Sequence, residues 1–79
     1  MVDAIKMKFK EEVNDFHAYK QMERAALNAG DRFAGLWLMK IAADEYSHAK
    51  WMRHYLKERN MFSKELEELW EHMDEKMDG

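Results

Sequence analysis

Asp44-Glu45-Tyr46-Ser47-His48 is the stretch that decides the fold, and it lies within the mostly apolar residues 36–56. Residues three apart on an α-helix point in nearly the same direction, so Glu45 and His48 share one face. The other residues of that face are Ala34, Leu38, Ile41, Met52 and Tyr55. An ionised Glu on an apolar face costs free energy unless it is paired or coordinated. The rest of the chain is therefore expected to supply a partner for Glu45.

The composition is typical of a small helical protein. The 79 residues are 47% hydrophobic and 37% charged, with three glycines and no proline, which predicts an all-α fold in a single domain spanning residues 1–79. The absence of cysteine excludes disulfides, thiolate catalysis and cysteine-ligated metal sites. Metals bound by carboxylate and imidazole remain possible.

Charge and hydropathy narrow the expected partners and location. The formal net charge of −3 argues against nucleic acid and against anionic membranes. No apolar run is long enough to span a bilayer, and residues 2–6 lack the core of a signal peptide. A cytoplasmic location is therefore the default expectation.

Three helices are predicted, at about residues 3–29, 31–59 and 63–77. The expected N-caps are Asp3, Asp31 and Ser63, and the expected stops are Gly30 and Asn60. The first two helices should form a long antiparallel hairpin, because only a short turn around Gly30 joins them.

The first helix also carries carboxylates on its apolar stripe. The stripe consists of Ile5, Phe9, Glu12, Phe16, Tyr19, Glu23 and Ala26, alternately four and three residues apart. This spacing on both long helices predicts near-parallel packing, as in a helix bundle.

A two-helix hairpin cannot enclose its own core, and the short third helix can cover only part of one side. Its apolar face consists of Leu66, Leu69, Trp70, Met73 and Met77. Small chains without disulfides usually need a metal or association for stability. We therefore expect a homodimer or higher homo-oligomer, in which two hairpins form a four-helix bundle.

Folding the hairpin at Gly30 brings Glu12 beside His48 and within one turn of Glu45, because residue numbers that sum to about 60 lie level. Glu23 shares the face of Glu12, but lies roughly 16 Å further along the helix. Glu12, Glu45 and His48 are therefore the predicted metal ligands. Two hairpins would supply four Glu and two His, which is the ligand set of di-iron carboxylate bundles. The expected load is two iron ions per dimer, and manganese is allowed because such ligands discriminate poorly by affinity alone.

In these residues the chain resembles the ferritin-like proteins of the rubrerythrin type. The matching segments run from Glu12 to Tyr19 and from Glu45 to Ala49. Most such proteins carry four bundle helices per chain, whereas this chain carries half. In that respect it resembles the half-length encapsulated ferritins, which complete their iron site across a dimer interface. No encapsulin-targeting tail follows Met77, so location inside a protein compartment is not itself implied.

The resemblance implies a site that binds Fe(II) and reacts with dioxygen or peroxide, as a ferroxidase or peroxidase-type oxidoreductase. A role in iron storage or detoxification, or as one unit of a larger shell, fits the same resemblance. Without cysteine the chain has no rubredoxin-like electron donor of its own, so the donor is left unidentified. The alternative from a different class is a non-enzymatic helical interaction module whose carboxylates and histidines pair with each other.

Each site residue also has a plainer alternative. Glu45 and His48 can form a partly exposed salt bridge, and Glu12 can be a surface carboxylate paired with Lys8. Tyr19 could donate a hydrogen bond to a ligand or take part in electron transfer as a catalytic residue, or it could be a core tyrosine.

Asp44 and Asp15 are the expected supporting carboxylates. Asp44 stands where di-iron proteins often carry an acid that hydrogen-bonds a ligating His, and such an acid fixes the orientation of the imidazole. Asp15, three residues after Glu12, could be an extra ligand or a hydrogen-bond acceptor. A solvated surface acid is the alternative for both. The histidines and tryptophans outside the site are expected at the surface or in packing: His17, His54, His72, Trp37, Trp51 and Trp70.

Overall fold

The computed structural model describes residues 1–78, with side chains described through Met77, and this part of the chain forms three α-helices and no strand. The helices are α1 (Val2–Asn28), α2 (Arg32–Glu58) and α3 (Lys64–Asp78). The predicted all-α class is confirmed, and each helix boundary lies within one residue of its expected position. Among the described residues, no helix combines the length and apolar character that a bilayer crossing requires.

The turn between α1 and α2 is set by one glycine and one cap. Gly30 has a φ of +80°, a left-handed conformation that glycine adopts without steric cost. The Gly30 and Asp31 amides donate to the carbonyls of Leu27 and Ala26, which closes α1. The Asp31 carboxylate then accepts from the Ala34 amide at 3.0 Å and opens α2.

The other caps follow the sequence with one exception. Asn60 has a φ of +55° directly after α2, and the Ser63 hydroxyl accepts from the Leu66 amide at 3.3 Å at the start of α3. Asp3 is not the N-cap of α1, because the helix already begins at Val2. Asp3 instead lies in the first turn, where a carboxylate interacts favourably with the helix dipole.

A line of small residues on α2 packs against bulky residues on α1. The small residues are Gly35, Ala42 and Ala49, and Leu56 ends the line; all four are buried. The buried apolar residues of α1 are Phe9, Val13 and Phe16. A Cβ at position 35 would lie 2.5 Å from Leu27 Cδ2, which shows how closely the helices approach. The phenylalanines of α1 occupy the space that larger α2 residues would need.

The stripe expected on α2 is therefore displaced from the centre of the α1–α2 contact. Of its apolar members, only Met52 is buried, whereas Ala34, Leu38, Ile41 and Tyr55 are half-buried at the edge. These residues border a side of the hairpin that none of the three described helices covers.

Helix α3 covers the opposite side. Its Trp70 stacks on Tyr46 with ring centroids 5.1 Å apart, and the Tyr46 hydroxyl donates to Asp74 at 2.7 Å. Arg53 pairs with Glu67 at 3.3 Å. Trp37 and Tyr55 are each nine residues from Tyr46, and nine residues are two and a half turns of helix. These two residues therefore lie on the side of α2 opposite Tyr46.

We call this uncovered side the open face. It contains Ile5, Glu12, Tyr19, Leu38, Ile41, Glu45, His48 and Tyr55. Trp37, 53% exposed, and Trp51, 58% exposed, lie at its border.

Complete burial of Ala49 makes this position sensitive to the size of its side chain. We expect Ala49→Leu to lower the free energy of unfolding by about 1–3 kcal/mol, because the added atoms overpack a fully buried position. Ala18→Leu, at an exposed position of α1, is the matched control. Urea unfolding at one fixed chain concentration measures both, and equal midpoints for the two variants would contradict this packing.

Candidate metal centre

Glu12, Glu45 and His48 lie together at mid-length on the open face. One ligand atom from each residue falls within 4.8 Å of the others. The Nδ1 atom of His48 lies 3.5 Å from Glu12 Oε2 and 3.7 Å from Glu45 Oε1. Two elements contribute, since Glu12 comes from α1 and the other two residues from one turn of α2. The structure thus brings together the three side chains that the sequence predicts as ligands.

Burial distinguishes Glu12 from an ordinary surface carboxylate. The residue is 5% exposed and is the buried charged residue among the described core positions. With both carboxylates ionised, its Oε2 atom is buried and accepts no hydrogen bond within residues 1–77. A buried carboxylate oxygen without a partner is costly. A cation between Glu12, Glu45 and His48 would remove this cost, so the donor set and its environment fit a metal ion.

The second carboxylate is perturbed by its surroundings. Burial raises the pKa of Glu45 to about 7, with further contributions from a hydrogen bond to Glu12 and from the charges of Glu12 and Asp15. The neighbouring His48 opposes the shift. Like charges at this range disfavour joint ionisation. Without metal, the Glu12 and Glu45 carboxylates therefore share one proton near neutral pH, and a bound cation would displace it.

The supporting residues lie around the three ligand candidates at different distances. Asp15 is exposed, and its charge is a minor cause of the raised pKa of Glu45, after burial and Glu12. Asp44 is exposed and makes no hydrogen bond to His48 within the described side chains. Tyr19 is half-buried against the core. The roles expected for these three residues stay predictions.

Glu23 lies outside the candidate site, in agreement with its expected displacement along α1. Its carboxylate pairs with Lys20 at 3.1 Å. Lys8, by contrast, approaches the site directly, with its Nζ atom 3.8 Å from Glu12 Oε1. The pairing considered for Glu12 as a surface residue is therefore present, but on a buried carboxylate.

Sequence reasoning missed two pairs that α3 forms on the side of the hairpin opposite the site. Tyr46, a spacer within the Glu-x-x-His motif, anchors α3 through Trp70 and Asp74. His17 was expected at the surface, but it is half-buried, with its ring 5.0 Å from that of His72. Burial is the first cause that lowers the pKa of His17. Neither pair has a signal in sequence spacing, because each joins residues from different helices.

The raised pKa of Glu45 gives the metal-free protein a specific dependence on pH. The folded state holds this proton up to about pH 7, whereas the unfolded chain loses it near the ordinary value for Glu. Between these values the folded state binds more protons, so this group makes the free energy of unfolding fall as pH rises. Above the folded pKa its contribution is constant.

Glu45→Gln removes the titrating group. We therefore expect the free energy of unfolding of the variant to lack the decrease with rising pH that Glu45 causes. Urea unfolding with a chelator present, at a series of pH values from 4 to 8, measures the difference between variant and wild type. Glu58→Gln, at an exposed position, is the control. A constant difference between wild type and Glu45→Gln across the series would contradict the assignment.

Comparison with protein-family models, with curated proteins and with solved structures finds no match for the chain. Glu12, Glu45 and His48 therefore carry the functional argument by their own geometry.

Proposed function

We propose that the chain forms half of a di-metal carboxylate centre, which two copies complete across the open face. The observation that carries the proposal is the convergence of Glu12, Glu45 and His48 around a buried carboxylate oxygen that accepts no hydrogen bond when both carboxylates are ionised. The ferritin-like resemblance of the same residues favours iron as the metal. Manganese suits the same oxygen and nitrogen ligands.

Ligand number supports a second copy as the occupant of the open face. Three ligands per chain are half of the four Glu and two His that di-iron bundles use. The same face leaves apolar side chains partly exposed beside the ligands, including Ile41 and Tyr55. A second hairpin placed there would cover these side chains and complete a four-helix bundle.

Charge balance also supports two metal ions rather than none. Bringing two open faces together would gather four carboxylates in one layer, and their mutual repulsion opposes association. Two divalent cations carry four positive charges, which match four ionised carboxylates. Association and metal binding would therefore stabilise each other.

The reaction class that fits such a centre is oxidation of Fe(II) by dioxygen or peroxide. Bound iron would supply the electrons for reduction of the oxidant. The residues of the chain would bind and orient the metal through Glu12, Glu45 and His48, and helix packing would limit access of water. Storage or detoxification of iron is the physiological role that this chemistry serves most directly.

One observation favours the alternative of a non-enzymatic interaction module. His48 lies at ion-pair distance from both carboxylates, so a protonated imidazole could neutralise part of their charge without metal. The two proposals differ in a simple measurement, because only the metal centre requires bound metal in stoichiometric amount.

We expect the purified protein to bind about one iron per chain and to sediment as a dimer or a multiple of a dimer. Glu45→Ala and His48→Ala should each remove most of the metal, because each deletes one of three ligands. His54→Ala is the control, since His54 forms an exposed pair with Glu58 on the same helix.

The protein and its variants are loaded anaerobically with Fe(II). Metal analysis then gives the iron content per chain, and sedimentation equilibrium on the same samples gives the mass in solution. Mixing the loaded protein with dioxygen or with peroxide then identifies the oxidant from the rate of Fe(II) loss. Unchanged metal content in both ligand variants would contradict the site. A folded monomer at micromolar concentration with metal present would contradict its completion by a second copy.

A further inference from the structure

The two oxygens of the Glu12 carboxylate face different partners. Oε2 points to the candidate site, 3.5 Å from His48 Nδ1, whereas Oε1 lies 3.8 Å from Lys8 Nζ. The Lys8 ammonium also pairs with Glu11 at 3.4 Å. A cationic side chain therefore lies beside the outer oxygen of the most buried carboxylate.

Burial of Glu12 makes this contact more than an ordinary surface ion pair. Exposed pairs are weak because water screens both partners. Here one partner is 7% exposed at its side chain and the other 53%, so only the ammonium is well hydrated. The charges of Glu11, Glu12 and Asp15 raise the pKa of Lys8, after a hydrogen bond to Glu11 as the first cause. Lys8 is therefore positively charged throughout the neutral pH range.

A carboxylate that binds two metal ions uses both of its oxygens, whereas one that binds a single ion can use one. In this protein the inner oxygen of Glu12 is free of any ammonium, and the outer oxygen is not. A first ion held between Glu12, Glu45 and His48 would leave the Lys8 contact intact. If Glu12 bridged to a second ion through its outer oxygen, that ion would have to displace the ammonium, and the long, flexible lysine stem allows that movement.

We propose that Lys8 is a built-in counter-ion that competes with the second metal ion for Glu12. It stabilises the metal-free carboxylate and sets the free metal concentration at which the site passes from one ion to two. This inference rests on the proposed di-metal centre, and it adds a residue that regulates occupancy of that centre.

The test compares Lys8→Met with Lys10→Met. Both variants remove one positive charge from α1 and keep an unbranched side chain, but Lys10 pairs with Glu65 of α3, away from the site. We expect Lys8→Met to raise the affinity for the second Mn(II) about two- to fivefold over Lys10→Met, which is the range for release of a partly exposed ion pair. Metal-free Lys8→Met should also melt at a lower temperature than Lys10→Met.

Calorimetric titration with Mn(II) at fixed ionic strength resolves the affinities, and thermal melts with a chelator give the second readout. Lys8→Arg retains the positive charge, so it should bind the second Mn(II) as weakly as wild type does. Lys8→Gln replaces Lys8→Met in the test if Lys8→Met does not fold. Suppose that wild type binds two ions but that Lys8→Met and Lys10→Met have equal affinities for the second Mn(II). That result would overturn the proposed role of Lys8 and leave the proposed metal centre standing. Failure of wild type to bind Mn(II) at the three ligands would overturn the proposed centre as well.

Discussion

The buried carboxylate of Glu12 is the constraint on which the rest of the structure depends. It lies in the seam between α1 and α2 at 5% exposure, where water cannot solvate it fully. His48 and Glu45 approach it from α2, and Lys8 approaches from the preceding turn of its own helix. Without a cation here, the fold carries one of two costs: Glu45 holds a proton at a raised pKa, or both carboxylates are ionised and a buried oxygen of Glu12 accepts no hydrogen bond.

The way the helices pack explains why these polar groups lie together at an open face. Ala42 and Ala49 of α2 lie in one buried core with Phe9 and Phe16 of α1, and the turn at Gly30 sets the level of Glu12 against His48. Helix α3 then covers one side through Tyr46 and Arg53. The opposite side keeps its apolar border and its three ligand candidates together, so the proposed second copy would cover the apolar residues and add ligands on the same surface.

The sequence predicted much of this arrangement because the relevant signals are local. Spacing of three residues groups Glu45 with His48, the turn at Gly30 fixes which residues lie level, and Asp31 and Ser63 are caps of standard chemistry. The burial pattern of α2 could not be predicted in the same way. Gly35, Ala42 and Ala49 are weak hydrophobic signals, and they form the contact only because α1 presents Phe9 and Phe16 opposite them. The pairing of Tyr46 with Asp74 depends on where α3 docks, which no spacing within α2 encodes.

The claim that two open faces enclose a pair of metal ions is tested most directly by anomalous diffraction from crystals grown with Mn(II). We expect two peaks about 3.5–4 Å apart that are related by a two-fold axis, surrounded by Glu12, Glu45 and His48 from both copies. Trp37 and Tyr55 should lie against the second copy. Peaks remote from these ligands, or an open face exposed to solvent in a crystal with manganese present, would contradict the account.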